Sequence, residues 1–167
     1  MNRELLQQLY ARYSREIYLY LFSLCGSAPP AEDLLQETFL QALLSLSDCH
    51  SNARAWLYLV ARNLYLNYRK KAARNISLEQ MAEIPSHSRE EPPERLIRGE
   101  SLRLLRAAIE NLEPRLREVV ILQYFSGLSQ KEIAALLQLT PEHVRVLSFR
   151  ARKKLKSYLE VNGYDVP

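Results

Sequence analysis

The sequence predicts an all-α protein: two small helical domains joined by a flexible linker, the C-terminal one containing a helix-turn-helix. Three observations lead there. The 167 residues include only four glycines and are rich in Leu, Ala, Glu, Lys, Arg and Gln, the good helix formers, with no strand-like runs of Val, Ile and Thr. Apolar residues recur at spacings of three and four in successive stretches, the signature of helices with one buried face. Between residues 75 and 93 that periodicity fails and Ser, Glu and Pro dominate, with Pro85, Pro92 and Pro93. The expected division is therefore a domain over 1–74, a linker over 75–93 and a domain over 94–167.

The first helix is expected from Arg3 to Leu24, because Leu5, Leu9, Tyr13, Ile17, Leu21 and Leu24 form one stripe. Gly26-Ser27-Ala28-Pro29-Pro30 ends it, since proline cannot continue the backbone ladder. A second helix is expected from Pro30, with Glu32 and Asp33 in its first turn where the helix dipole favours acids. Leu35, Phe39, Ala42, Leu43 and Leu46 should be its buried face, leaving Asp33, Gln36 and Glu37 outside. Ser47–Asn52 reads as a polar loop of turn-forming residues. A third helix, Ala53 to Ala73, turns Leu57, Val60, Ala61, Leu64 and Tyr68 inward and ends in a basic run through Arg69, Lys70, Lys71 and Arg74. Three helices of this length can share one small core. Within the linker, Ile76, Leu78, Met81 and Ile84 are apolar enough to dock on a surface.

The second domain opens with a helix from Glu94 to Asn111, buried through Leu102, Leu105, Ile109 and Leu112. Pro114 starts a short helix that carries Val119, Val120 and Leu122 and stops before Gly127. Ser129 and Glu132 then form a capping box, each satisfying the other's backbone N–H, with Ile133, Ala134 and Leu137 as the inner face. After the short turn Gln138-Leu139-Thr140, Thr140 caps a last helix and Pro141 occupies its first position. Two short helices so spaced cross steeply, as in a helix-turn-helix. The last helix separates by face: Val144, Leu147, Ala151 and Leu155 on one side, Arg145, Phe149, Arg152 and Lys153 on another. From Arg145 through Lys156 it carries six basic residues and no acid, which points to DNA, with base edges met early in the helix and phosphates later. A basic run by itself is more often a solvated surface; the capped helix and short turn before it tip the balance.

Charge agrees with a polyanionic partner. The net charge is +4, and its distribution alternates: nine basic and six acidic residues over 1–74, three and five over 75–99, eleven and eight over 100–167. Cys25 and Cys49 form no C-x-x-C pair, so neither a disulfide framework nor a zinc site is expected. No apolar run is long enough to span a bilayer and no signal segment is evident, so a cytoplasmic protein is expected. Enzymatic function is not expected. There is no paired-carboxylate or nucleophile–base set and no phosphate-binding glycine loop; His50 beside Cys49 is most simply a polar loop residue, and His87 and His143 are isolated. No cofactor and no metal are expected.

Three stretches, in order and across nearly the whole chain, resemble the extracytoplasmic-function (ECF) sigma factors of bacterial RNA polymerase. Ala31-Glu32-Asp33-Leu34-Leu35-Gln36-Glu37-Thr38-Phe39-Leu40 resembles that family's A-E-D-L-x-Q-E-T-F signature. Trp56-Leu57-Tyr58-Leu59-Val60-Ala61-Arg62-Asn63-Leu64 resembles its W-L-Y-x-I-A-R-N element. Leu112 through Leu155 resembles its C-terminal domain, including G-L-S-x-x-E-I-A and a trailing F-R-A-R.

The resemblance implies roles. Asp33, Leu34, Gln36 and Glu37 would dock on the clamp helices of the polymerase largest subunit. The loop Ser47–Asn52 and the helix after it would melt and read the minus-ten promoter element, through Asn52, Arg54, Arg62, Asn63, Asn67, Arg69 and Lys70. Capturing an unstacked base needs a polar pocket, planar surfaces and cations along the backbone, which these residues supply. A lone Trp56 in a small helical domain is more often core than stacking platform. Arg145, Phe149, Arg150, Arg152 and Lys153 would meet the minus-thirty-five element as duplex. The implied protein is a monomer when free, with core polymerase, promoter DNA and an anti-sigma factor, in many members membrane-bound, as partners. The sequence departs from the family pattern in two places. Val144-Arg145-Val146-Leu147 stands where Val-Lys-Ser-Arg is frequent, deleting a hydroxyl and a guanidinium, and Asn67 replaces a common Asp. The competing reading is a stand-alone helix-turn-helix repressor or activator with an N-terminal effector or dimerisation domain; it leaves Ala31–Leu40 and Trp56–Leu64 without a purpose.

Overall fold

The computed structural model describes residues 1–48, 50–79 and 99–164. Every regular element among them is helical, and the chain divides into two compact units, Met1–Pro92 and Pro93–Pro167.

In the first unit α1 (Arg3–Cys25), α2 (Ala28–Ser45) and α3 (Ala53–Glu79) pack on one another around a shared core. Asn2 opens α1 by accepting the Glu4 N–H at 2.9 Å. Gly26, at φ 80°, closes it in the left-handed conformation that glycine adopts without strain, donating to the Phe22 carbonyl. Ile17, Tyr20 and Leu21 of α1, Ala31, Leu35 and Phe39 of α2, and Leu57, Tyr58 and Ala61 of α3 are buried together. Ring pairs join the helices, Tyr10 edge-on to Phe39 at 5.0 Å and Tyr20 tilted against Tyr58 at 5.3 Å.

Four expectations need correction here. Helix α2 starts two residues early, at Ala28, with the prolines in its first turn, so Glu32 and Asp33 lie beyond that turn. Leu43 is exposed: Ala31, Leu34 and Thr38 are buried and draw the inward face away from it. Helix α3 runs past Ala73 to Glu79, so the first part of the expected linker is helical. Residues 69–79 contain no Gly or Pro and many good helix formers; loss of apolar period marks the end of packing, while the helix itself continues. Burial accordingly falls along α3, 27 residues against 23 and 18 for its partners: Val60 and Leu64 are half-buried and Tyr68 is exposed. Residues 80–93, with Met81 and Ile84, the expected helix start at Glu94, and Cys49 lie outside the described residues.

The second unit contains α4 (Glu100–Glu110), α5 (Pro114–Val120), α6 (Gln130–Leu137) and α7 (Pro141–Val161). A π-turn over Ile121–Phe125 extends α5 and is closed by the Ser126 N–H on the Ile121 carbonyl at 2.9 Å. Helix α7 packs on α4, α5 and α6 and is the axis of the unit. Ala108, Ile109, Leu116, Val119, Leu122, Ile133, Leu137, Val144, Leu147 and Ala151 fill the interior. Leu102, expected inside, is exposed in the first turn of α4. Arg117 reaches back to donate to the Glu110 and Leu112 carbonyls at 3.0 and 2.9 Å, satisfying backbone groups where α4 ends.

Candidate polymerase and nucleic-acid interfaces

The C-terminal surface is built on α6 and α7. The capping box forms as the sequence predicts: Ser129 Oγ accepts from Glu132 N–H, and Glu132 Oε1 accepts from Ser129 N–H, both at 3.1 Å. Gln138 ends α6 at φ 58°, a left-handed cap on a non-glycine residue, and the Leu139 N–H returns to the Ala134 carbonyl. Thr140 Oγ1 then accepts the His143 N–H at 3.1 Å and Pro141 begins α7. Two short, capped helices joined by one tight turn define a helix-turn-helix.

On α7 the inward side is Val144, Leu147, Ser148 and Ala151. The outward side presents Arg145, Phe149, Arg150, Arg152 and Lys153, all exposed, with Phe149 open over 60% of its surface and Val146 over 43%. Leu147, by contrast, is core. The departure from the family pattern at that position therefore places a leucine where the fold needs packing. Not every cation of this helix is free. Lys154 donates to Glu113 at 2.6 Å, joining α7 to the start of α5, and Lys156 faces Glu160 at 3.9 Å. The Lys154 hydrogen bond and charge, with Arg150 adding to them, hold the Glu113 carboxyl below the usual carboxylate range.

On α2, Asp33, Gln36 and Glu37 are exposed, on the side turned away from the core. Leu34 is not with them. It is 5% exposed and packs inward with Leu35 and Thr38, so the expectation of Leu34 as a docking contact is corrected to a core role. Leu40 and Leu44, 54% and 73% exposed, continue the outer face instead. Gln36, Leu40 and Leu44 follow one another at i, i+4 along this outer face, and leucine's apolar character alone does not tell core from surface.

The loop 47–52 and α3 carry the third group. Asn52 caps α3, its Oδ1 accepting the Ala55 N–H at 3.1 Å. Its own N–H is taken by His50 Nδ1 at 3.1 Å, and the loop is tied at its other end by Asp48, whose Oδ1 accepts the Asn2 N–H at 3.0 Å. Arg54 is not free to meet a ligand: its Nε donates to Glu16 at 2.6 Å, Tyr58 OH donates to the same carboxylate oxygen at 3.1 Å, and the guanidinium lies 5.6 Å from the Tyr58 ring centre. That partly buried set joins α1 to α3, and no periodicity in the sequence announces it. Asn63, Asn67, Arg69 and Lys70 are exposed, with Asn63, Asn67 and Lys70 on one line at i, i+4, i+7; Arg62 and Trp56 are half-buried. Among the described residues no cluster of His, Cys, Asp and Glu could hold a metal ion, and no helix is long and apolar enough to cross a membrane.

A three-helix unit with an exposed acidic-amide face, followed by a helix-turn-helix unit with a basic outward face, has the features of a DNA-binding protein with a second binding surface. The family model for Sigma-70 region 2 matches residues 9–75, and that for Sigma-70, region 4 matches 102–155. The chain is 28% identical over 155 residues to the ECF RNA polymerase sigma factor SigM of Bacillus subtilis, covering 91% of this chain and 93% of the relative. It is 30% identical over 159 residues to the RNA polymerase sigma factor YlaC of the same organism, covering 93% and 92%. Among solved structures it resembles the sigma factor RpoE of Bartonella quintana, solved in complex with the anti-sigma factor NepR, with a TM-score of 0.79 and 25% identity over 93% of this chain and 96% of that one. The chain belongs to the ECF sigma factors of the sigma-70 family and is an RNA polymerase sigma factor that directs promoter-specific transcription initiation.

Proposed function

We propose that the unit before the linker docks on core polymerase and opens the minus-ten element, while the unit after it grips the minus-thirty-five element as duplex. In this reading residues 1–74 form the docking and melting domain, 75–93, whose first residues continue α3 to Glu79, the connection, and 94–167 the duplex-reading domain. The observation that carries it is the outward face of α7, where Arg145, Phe149, Arg150, Arg152 and Lys153 stand exposed on a helix capped by Thr140 and preceded by the capped α6. Arg145 and Phe149 lie where a helix-turn-helix meets base edges, and Arg152 and Lys153 where it meets phosphates. Asp33, Gln36 and Glu37, with Leu40 and Leu44 beyond them, supply the face for the clamp helices of the largest subunit. Asn52, Arg62, Asn63, Asn67, Arg69 and Lys70 serve the minus-ten element, Asn52 also as the cap that holds the loop to α3, and Arg54 from within the scaffold.

The factor acts in the cytoplasm as a monomer until it meets core polymerase, and has no catalytic activity of its own. An anti-sigma factor holds it inactive; the fold's likeness to a sigma factor solved with such an inhibitor supports this partner. A membrane link would come through the inhibitor. The test is transcription by purified chain plus core polymerase on genomic DNA. Transcripts starting at discrete promoters are expected; failure to bind or program core polymerase would sink the reading. A symmetric dimer on a palindromic site would instead favour a stand-alone repressor or activator.

A further inference from the structure

We propose that His50 is a base-reading residue of the loop between α2 and α3, presenting its Nε2–H as a hydrogen-bond donor to an acceptor on an unpaired promoter base. The inference rests on the reading of that loop as the minus-ten reader and goes beyond it by naming a residue and the polarity of its contact. The geometry is local. His50 N–H closes a turn on the Ser47 carbonyl at 3.1 Å, and two residues on the Asn52 N–H donates to His50 Nδ1, also at 3.1 Å. A nitrogen that accepts this bond carries no proton, so in the neutral ring the proton is on Nε2. The ring is exposed and Nε2 has no described partner. The loop thus holds the imidazole in one tautomer with the donor turned outward.

Asn52 reinforces the same polarity. Its Oδ1 is taken by the Ala55 N–H, which leaves the side-chain amide NH2 as its outward group. Two donors, His50 Nε2–H and Asn52 Nδ2–H, therefore stand two residues apart at the start of α3. A surface that offers donors selects a base edge that offers acceptors, such as a ring nitrogen beside a carbonyl, and leaves an exocyclic amine facing it unpaired.

Two isosteric substitutions separate the ring nitrogens. His50→Asn keeps an acceptor near the Nδ1 position, as an Asx turn does, and removes the donor at Nε2. His50→Gln places an amide near the Nε2 position. The experiment is transcription by each holoenzyme from a template library randomised across the melted region, with transcripts sequenced so that base preference is read separately from total yield. Thermal melts establish that each variant is folded. Wild-type holoenzyme should favour an acceptor-presenting base at one unpaired position. His50→Asn should flatten that preference about three- to tenfold, the worth of one hydrogen bond, and His50→Gln should keep most of it. If both variants retain the wild-type preference while the triple replacement Asp48→Ala, His50→Ala, Ser51→Ala flattens it, the loop reads DNA without His50 and the proposal is overturned. If His50→Gln flattens the preference as fully as His50→Asn, the ring acts through the turn and the donor role is likewise overturned. If the triple replacement also leaves the preference unchanged, the minus-ten reading of the loop fails with it.

Discussion

The two units hold their candidate contact groups in opposite ways. On α7 the side chains that face outward are almost independent of the fold: caps at Ser129 and Thr140 set the helices, an apolar side fills the core, and Arg145, Phe149, Arg152 and Lys153 have only to be exposed. Around the loop 47–52 the polar groups are also scaffold. Asn52 caps α3, His50 closes the turn, Asp48 ties the loop to the start of α1, and Arg54 is bound to Glu16. Substitutions on α7 should therefore change binding with little effect on stability, whereas substitutions around the loop should change both.

The largest expected effect tests the placement of Leu34. Leu34→Ala should destabilise the first unit by about 2–5 kcal/mol in urea melts, as truncation of a buried leucine does. Glu37→Ala should stay within about 0.5 kcal/mol and weaken polymerase binding instead. A Leu34→Ala variant that is as stable as wild type and binds polymerase weakly would return Leu34 to the docking face.

Next comes the salt dependence of duplex binding. Arg152→Ala and Lys153→Ala should each weaken binding across all sequences and lower the slope of log affinity against log salt by about 1. An unchanged slope would mean that these side chains meet no phosphates. Arg145→Ala should instead relax discrimination among duplex sites, by about 1–3 kcal/mol if it pairs with a base edge.

Asn52→Asp and Asn52→Ala sharpen the contrast at the loop. Alanine removes the cap and should cost about 1 kcal/mol of stability together with promoter opening. Aspartate can still cap, so it should keep stability and lose opening alone. If Asp and Ala were equal in both measurements, capping and reading could not be separate duties of this residue.

The smallest effect concerns the Glu113–Lys154 pair, which is exposed and open to screening. Because the Glu113 carboxyl is held below its ordinary range, the pair stabilises the fold above the unfolded-state value. That contribution is lost as pH falls through the lower folded-state value. Glu113→Gln should therefore flatten the acid limb of the melting temperature slightly, and added salt should narrow the difference between variant and wild type.

The same contrast explains how much the sequence made legible. Periodicity and caps are local, so the capping box, the Thr140 cap, the division of α7 into faces and the order of the helices could all be read in advance. Leu34 and Leu43 could not be placed from spacing, because on a three-helix core the inward sector of α2 is chosen by what α1 and α3 offer to it. The end of α3 is not legible in the apolar period, which reports packing, and a helix outlives its packing when no breaker follows. Glu16 with Arg54, Asp48 with Asn2, and Glu113 with Lys154 join residues about forty positions apart, and nothing local distinguishes them from solvated charges.

The length of α3 has a metric consequence. From its cap at Asn52 to Arg74 the helix advances about 33 Å, at about 1.5 Å per residue. One turn of B-form DNA spans about 34–36 Å. The polar loop at one end of α3 and the basic run Arg69, Lys70, Lys71 and Arg74 at the other thus stand apart by close to the length of one turn of DNA.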